Sequence, residues 1–138
     1  MKLVYEVLDE LKKTKIKDEK LNILKTHKEF WALRDVLRGT YDSNIKFRIP
    51  KGTPPYVPNV EGSIPGILNK RHIDFQYFVE NGPSSGTPQH RVEKMFITLL
   101  ETIHPGDAEV VVAMTSKKNI PGVSKKLIKE AYPELLTD

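Results

Sequence analysis

The spacing of apolar residues predicts two helices in the first part of the chain. Residues 2–14 carry apolar side chains at helical spacing, which places them on one face of a helix: Leu3, Val4, Val7, Leu8 and Leu11. A second, shorter helix follows, with Asp18 as its N-cap and an apolar face formed by Leu21, Ile23 and Leu24. Both segments therefore have one side suited to a shared core.

A third helix is predicted over residues 28–38, directly after the second. Its apolar face holds Phe30, Leu33, Val36 and Leu37. Gly39 follows at the C′ position, where glycine is the common residue. Because only a few residues join these three helices, we expect neighbouring helices to pack antiparallel.

The middle of the chain has a different composition. Prolines and glycines interrupt residues 40–66: Pro50, Gly52, Pro54, Pro55, Pro58, Gly62, Pro65 and Gly66. Since proline fixes φ and lacks an N–H donor, neither a long helix nor a central strand fits there. Residues 44–50 alternate apolar and basic residues, which predicts an extended segment with Lys46 and Arg48 facing outward. A short helix over residues 69–80 and a loop complete the region.

Helical spacing returns after this loop. Thr87 and Pro88 are typical N-cap and N1 residues, and a helix with a long apolar face runs from there to Ile103. A Pro-Gly break separates it from a helix over residues 105–114. Ser124 is the predicted N-cap of the last helix.

These elements together predict one all-α domain over residues 1–138. It consists of a helical part (1–39), a Pro- and Gly-rich insert (40–86) and a second helical part (87–138). The chain has 138 residues, of which 38% are hydrophobic and 29% charged. This length and composition suit a single globular domain with one core.

Composition and motifs argue against several classes of protein. The chain has no cysteine, which excludes disulfides and thiolate zinc sites. It has no apolar run long enough for a membrane span, and Asp9 and Glu10 come too early for a signal peptide. We therefore expect a cytoplasmic protein without membrane contact. Phosphate-loop, zinc-protease and serine-hydrolase motifs are absent, and the histidines lack metal-ligand spacing. This predicts a non-enzymatic protein without metal or cofactor.

Basic charge is concentrated in the last quarter of the chain. The net charge is +4, and residues 117–129 hold no acid but a group of lysines: Lys117, Lys118, Lys125, Lys126 and Lys129. Gly122 belongs to a predicted turn, and Ser124 then starts a helix with lysines in its first turn. The helix dipole favours anions there rather than cations. This pattern favours a phosphate contact, with a solvated surface helix as the alternative.

Three other basic residues are candidate phosphate contacts: Lys46, Arg48 and Arg91. Each by itself is equally well explained as a solvated surface charge. Only a common face with residues 122–126 would make them parts of one site.

Three segments resemble the N-terminal DNA-binding domain of ATP-dependent DNA ligases, especially the small viral type. In residues 30–51 a helix runs into Thr-Tyr and then an extended segment that ends near proline, FWALRDVLRGTYDSNIKFRIPK. Residues 92–103 read VEKMFITLLETI and precede a short helix. Residues 122–135 read GVSKKLIKEAYPEL, with the Gly-x-Ser start and the aromatic-Pro end of that domain. The Pro-rich residues 52–66 fall outside the likeness.

The resemblance implies an all-helical module that grips the minor groove of duplex DNA through backbone and phosphate contacts, without reading sequence. The family's contacts carry over to Gly122, Ser124, Lys125, Lys46, Arg48 and Arg91. The ligase nucleotidyltransferase needs a lysine in a Lys-x-Asp-Gly motif, and this chain contains no Asp-Gly pair. The resemblance therefore implies the binding module without the catalytic one, as a stand-alone, phage-like protein.

Two other functions stay open at the level of sequence. The insert GTPPYVPNVEGSIPG, residues 52–66, is typical of exposed Pro-rich ligands. It favours a module that binds a host or viral replication or transcription protein, unless the insert simply packs across the helices. The remaining alternative is a structural component of a virion. For a viral protein the expected compartment is the host cytoplasm.

Overall fold

The computed structural model of the chain describes residues 3–59 and 68–137. Seven α-helices and one 3₁₀ helix occupy them: α1 (Val4–Lys13), α2 (Lys17–Thr26), α3 (Trp31–Tyr41), α4 (Leu68–Arg71), the 3₁₀ helix (His72–Phe78), α5 (Gln89–Thr102), α6 (Pro105–Thr115) and α7 (Lys125–Ala131). An isolated antiparallel bridge pairs Phe47 with Val79. The predicted all-α fold is confirmed. None of the described helices is long and apolar enough to cross a membrane.

α6 is the central helix of the core. It packs against α1, α3 and α5. Glu109 is the one exposed residue of the helix, and six of its side chains are buried. They are Asp107, Ala108, Val111, Val112, Met114 and Thr115. The antiparallel packing expected among the first three helices is therefore replaced by contacts with the second half of the chain: α1 and α3 pack on α6, and α2 packs on α7.

Gly39 does not end α3, as the sequence suggested, but lies inside it. The helix continues to Tyr41, and Gly39 is buried at the crossing of α3 and α6. A Cβ on Gly39 would lie 2.8 Å from Sδ of Met114 and 3.1 Å from Cζ of Phe47. Glycine is thus required here for close helix packing rather than for a left-handed cap.

Two predicted helix starts are shifted in the structure. α2 begins at Lys17 after Ile16 as N-cap, so Asp18 lies in the first turn, where its carboxylate still meets the helix dipole favourably. α5 begins at Gln89 with Pro88 as N-cap. The Thr87 carbonyl accepts a hydrogen bond of 2.8 Å from the Arg48 guanidinium, which holds the chain ahead of the helix.

The insert is partly helical and partly extended. In residues 44–50 the extended pairing is limited to the bridge at Phe47, and bends follow at residues 48 and 49. Ile49 is buried and Phe47 packs against the core as predicted, but Arg48 is half-buried rather than turned outward. Residues 52–59 pack along the second half of the fold: the Gly52 N–H donates to Ser116 Oγ (3.0 Å), and the Val57 N–H donates to Glu101 Oε2 (2.8 Å). The rest of the Pro-rich segment, through residue 66, and the predicted helix start at residue 2 lie outside the described residues.

Asp107 joins the start of α6 to the start of α1. The carboxyl group is fully buried, and its Oδ1 accepts a hydrogen bond of 2.9 Å from the Tyr5 N–H. The N-cap residue His104 stacks on the Tyr5 ring at 4.8 Å. Burial raises the pKa of Asp107 above its ordinary value of 3.8, although the Tyr5 hydrogen bond and the charge of His104 oppose this.

The raised pKa predicts a pH dependence of stability. The folded state binds the Asp107 proton more tightly than the unfolded state, so this contribution is present below the ordinary pKa and is lost as pH rises through the raised pKa. We expect the free energy of unfolding of the wild type, minus that of Asp107→Asn, to fall as pH rises above about 4. Urea unfolding of both proteins measures this difference, and titrating groups that do not interact with Asp107 cancel. A difference that is constant or rises with pH would contradict the assignment.

Candidate nucleic-acid interface

The approach to α2 and the start of α7 line one cleft of about 460 Å³. Lys15, Lys17 and Lys20 contribute from one segment, and Lys126 from the other. We call these four lysines and the space between them the lysine cleft. Two parts of the chain that are distant in sequence thus place lysines around one space: residues 15–20 and α7.

Gly122 sets the distance between the two walls of the lysine cleft. Its φ of +79° is in the left-handed region, and a Cβ there would lie 2.9 Å from both the Leu11 carbonyl oxygen and the Lys12 Cα. The turn before α7 is therefore pressed against the end of α1, where only glycine fits. The Lys20 ammonium also donates a hydrogen bond of 2.7 Å to the Gly122 carbonyl.

Tyr41 at the end of α3 fixes the same turn from the other side. Its hydroxyl donates to the Val123 carbonyl (2.6 Å) and accepts from the Ile120 N–H (2.8 Å). Burial raises the pKa of Tyr41, so it stays a neutral donor near pH 7. The turn that carries Gly122 is thus held by two helices before any ligand arrives.

Ser124 is the N-cap of α7, as the sequence predicted. Its Oγ accepts a hydrogen bond of 3.1 Å from the Leu127 N–H, and the first turn of α7 contains no acidic residue. α7 has only seven residues. The lysine ammonium groups therefore dominate the electrostatics here, rather than the helix dipole.

The lysine cleft carries net positive charge. Glu130 pairs with Lys17 at 2.9 Å, with the two side chains 33% and 58% exposed. Exposed ion pairs contribute little free energy, so this pair can open at low cost. A multiply charged anion would meet more ammonium groups in the lysine cleft than carboxylates.

Lys117, a candidate phosphate contact from sequence, is instead engaged with the end of α3. Its ammonium donates to the carbonyls of Gly39 (2.5 Å) and Asp42 (2.9 Å) and lies 5.3 Å from the centre of the Phe47 ring. The backbone of Lys117 has a φ of +56°. A cation at a helix C-terminus satisfies carbonyls that lack intrahelical partners, so Lys117 has a structural task in the described fold.

The neighbouring lysines predict a clear difference in stability. Lys117→Ala should lower the free energy of unfolding by about 2 kcal/mol, because it removes two charge-assisted hydrogen bonds and a ring contact. Lys118 is exposed, so Lys118→Ala should change stability by less than about 0.5 kcal/mol. Urea denaturation of the two variants checks this. Equal stability of both would show that the contacts of Lys117 do not stabilise the fold.

The other predicted contacts gather at the start of α5. Arg48 is held there because its guanidinium donates to the Ser84 carbonyl at 2.5 Å and to the Thr87 carbonyl at 2.8 Å. Lys46 is exposed two residues earlier, in the same extended segment. Arg91 lies with Arg71 and Lys94 in a second basic cleft, of about 390 Å³.

The structure thus divides the sequence candidates into separate groups. Gly122, Ser124 and Lys126 line the lysine cleft, and Lys125 and Lys129 lie on the same helix. Arg48 and Arg91 belong to the α5 region. Lys117 closes the end of α3, and Lys118 follows it on the surface.

Three lysines of the lysine cleft escaped the sequence reasoning: Lys15, Lys17 and Lys20. They lie in KTKIKDEK, residues 13–20, where Asp18 and Glu19 offset two of the four lysines. The net charge of this segment therefore did not mark its lysines as candidate phosphate contacts. The repeat of lysine at alternate positions, in a connection between two helices, was the available clue.

A family model covers most of this architecture. It matches residues 7–120 and belongs to a family of unknown function. The matched range includes Lys15, Lys17 and Lys20 and ends just before the turn that carries Gly122. No curated protein matches the chain.

Proposed function

The chain belongs to this family of unknown function, DUF6433, and we propose that it is a non-enzymatic module that binds duplex DNA. The observation that carries the proposal is the lysine cleft. Four lysines from two segments line a space of about 460 Å³ there, and one of them, Lys17, pairs with the carboxylate of Glu130. Phosphate groups of a nucleic-acid backbone are anions that suit such a site.

The chemistry of the lysine cleft favours recognition without sequence readout. Lysine is a flexible point charge that meets phosphate oxygens, whereas base edges are usually read by side chains with paired donors and acceptors. Contacts to phosphate position a protein on DNA but carry no sequence information directly. The module should therefore bind unrelated duplexes alike.

The rigid frame of the lysine cleft supports the same function. Gly122 packs against α1, Tyr41 holds residues 120 and 123, and Ser124 caps α7, so the walls are positioned by backbone contacts. A preorganised site loses less conformational freedom on binding than a mobile one. In the resemblance to ligase DNA-binding domains, Gly122, Ser124 and Lys125 are carried over as contacts, and the lysine cleft extends this set to α2.

A titration with two duplexes of unrelated sequence tests the proposal. Filter binding at about 50 mM salt should show similar affinities, and both should weaken roughly 40-fold at about 200 mM salt if about three phosphates are contacted. Absence of duplex binding at the lower salt concentration would refute the proposed function. A strong preference for one sequence would refute the phosphate-only mode.

A protein-interaction module is the second candidate function. The structure weakens the argument that its Pro-rich segment is exposed to a partner. Residues 52–59 are the described part of the Pro-rich ligand, and hydrogen bonds attach them to the rest of the fold. The Val57 N–H bonds Glu101, and the Asn59 amide donates to the Thr102 carbonyl at 2.9 Å. A tethered segment is less available to a partner groove than an exposed one, so we place DNA binding first.

A further inference from the structure

Trp31 is a large aromatic side chain on the surface at the start of α3. It is 58% exposed and is the single tryptophan of the chain. On one side of its ring lies the guanidinium of Arg34, 5.0 Å from the ring centre. Exposing an indole to water is unfavourable, and such residues are frequent at binding surfaces.

Trp31 is the outer layer of a three-part stack. The same Arg34 guanidinium lies 5.0 Å from the centre of the Tyr132 ring, and its Nη1 donates a hydrogen bond of 2.9 Å to the Lys28 carbonyl. Tyr132 is buried, and its hydroxyl donates to the Leu24 carbonyl. Burial raises the pKa of Tyr132 to about 12, against the opposing charge of Arg34. The inner layers are therefore fixed, and the indole rests on a rigid support.

α7 connects this stack to the lysine cleft. Its first turn lines the lysine cleft, and Tyr132 directly follows its last residue. Seven helical residues span roughly 10 Å, which corresponds to about three nucleotides of a DNA strand. A strand with a phosphate in the lysine cleft would therefore reach Trp31 within a few nucleotides.

We propose that the exposed surface of Trp31 is a stacking site for an unpaired nucleobase, so that the module prefers gapped DNA to continuous duplex. A base is a planar ring that would extend the stack of Tyr132, Arg34 and Trp31 by one layer. Aromatic side chains stack bases regardless of sequence. This inference rests on the proposed function, because the lysine cleft must first hold the adjoining strand.

The surroundings of Trp31 favour a nucleic acid over a protein partner. Among the described residues, the other exposed large apolar side chains are Ile16, Val57, Ile73 and Met95. Ile16 is the N-cap of α2, and the other three lie outside α2, α3 and α7, whereas the core of a protein interface usually joins several apolar residues. Near Trp31 in sequence the chain exposes Lys25, Lys28 and Glu29, and the Arg34 guanidinium lies over the indole. A single aromatic ring among cations matches a charged strand with a planar base.

The full chain tests this with two DNA probes of identical sequence. One is a continuous duplex, and the other has a gap of about three nucleotides. Trp31 fluorescence reports stacking, and fluorescence anisotropy of labelled DNA reports affinity. The variants are Trp31→Ala and, as a control, Ile73→Ala, whose side chain is 61% exposed on the 3₁₀ helix. Thermal unfolding of each variant establishes that it is folded.

We expect gapped DNA to quench Trp31 and to bind about 10-fold more tightly than the continuous duplex. Trp31→Ala should lose this preference and bind both probes like the continuous duplex, while Ile73→Ala keeps it. If the wild type bound both probes with equal affinity and its Trp31 fluorescence did not change, the inference would be overturned. The proposed duplex binding would still stand, and Trp31 would become a candidate contact for a protein partner. Binding of neither probe by the wild type would overturn the proposed function together with the inference.

Discussion

Reversing two charges in the lysine cleft should abolish most DNA binding. The double variant Lys15→Glu with Lys126→Glu replaces exposed lysines on opposite walls. It removes two phosphate contacts and adds two repulsive carboxylates. We expect duplex affinity to fall on the order of 100-fold at about 50 mM salt, because each lost contact also loses the release of a counterion. Anisotropy titration with a labelled duplex measures the loss.

A matched variant controls for net charge. Lys51→Glu with Lys94→Glu changes the total charge by the same amount at exposed positions outside the lysine cleft. It should weaken binding by less than about 5-fold through the general field of the protein. Since Lys94 lies beside Arg91 in the second basic cleft, the reverse ranking of the two variants would place DNA there and would refute the lysine cleft.

Gly122→Ala should be the most destabilising of the single substitutions considered. Alanine costs about 1–2 kcal/mol in a left-handed conformation, and its Cβ would lie 2.9 Å from backbone atoms of Leu11 and Lys12. Backbone cannot rotate away as a side chain can, so the turn or the end of α1 must move. We expect a total loss of about 3 kcal/mol in the free energy of unfolding, measured by urea denaturation.

Gly52→Ala separates the cost of backbone strain at a positive φ from the cost of steric contact with an added Cβ. Gly52 also has a positive φ, +102°, but nothing lies within 4 Å of the position of its Cβ. Its loss should be limited to about 1–2 kcal/mol of backbone strain. If the two alanine variants were equally stable, close contact between the Gly122 turn and α1 would not be a stabilising feature of the fold.

The helices were predictable from sequence because their apolar residues repeat at helical spacing. α1 is an example: Val4, Val7, Leu8 and Leu11 all lie in the core. The central position of α6 was not predictable, since a helix buried on most sides shows no periodic stripe. Gly39 shows a related limit. Its role depends on Met114, which is far away in sequence and close only in the folded chain.

Sequence predicted the parts of the candidate site that depend on local patterns, but not the parts that depend on contacts between distant residues. Ser124 carries a local N-cap pattern, and the structure has the expected hydrogen bond to the Leu127 N–H. The side chains of Lys117 and Arg48 donate hydrogen bonds to backbone carbonyls that are distant in sequence. No local sequence pattern predicts such contacts. Lys15 and Lys20 join Lys126 only because Gly122 brings the turn before α7 against α1.

The salt dependence of duplex binding tests the role of the lysine cleft most directly. The wild type should give a linear plot of log affinity against log salt concentration, with a slope near −3 for about three phosphates. Replacing Lys15 and Lys126 by glutamine should make this slope shallower by about two. The control variant Lys51→Gln with Lys94→Gln should keep the slope of the wild type. An identical slope for the wild type and the Lys15, Lys126 variant would contradict phosphate binding in the lysine cleft.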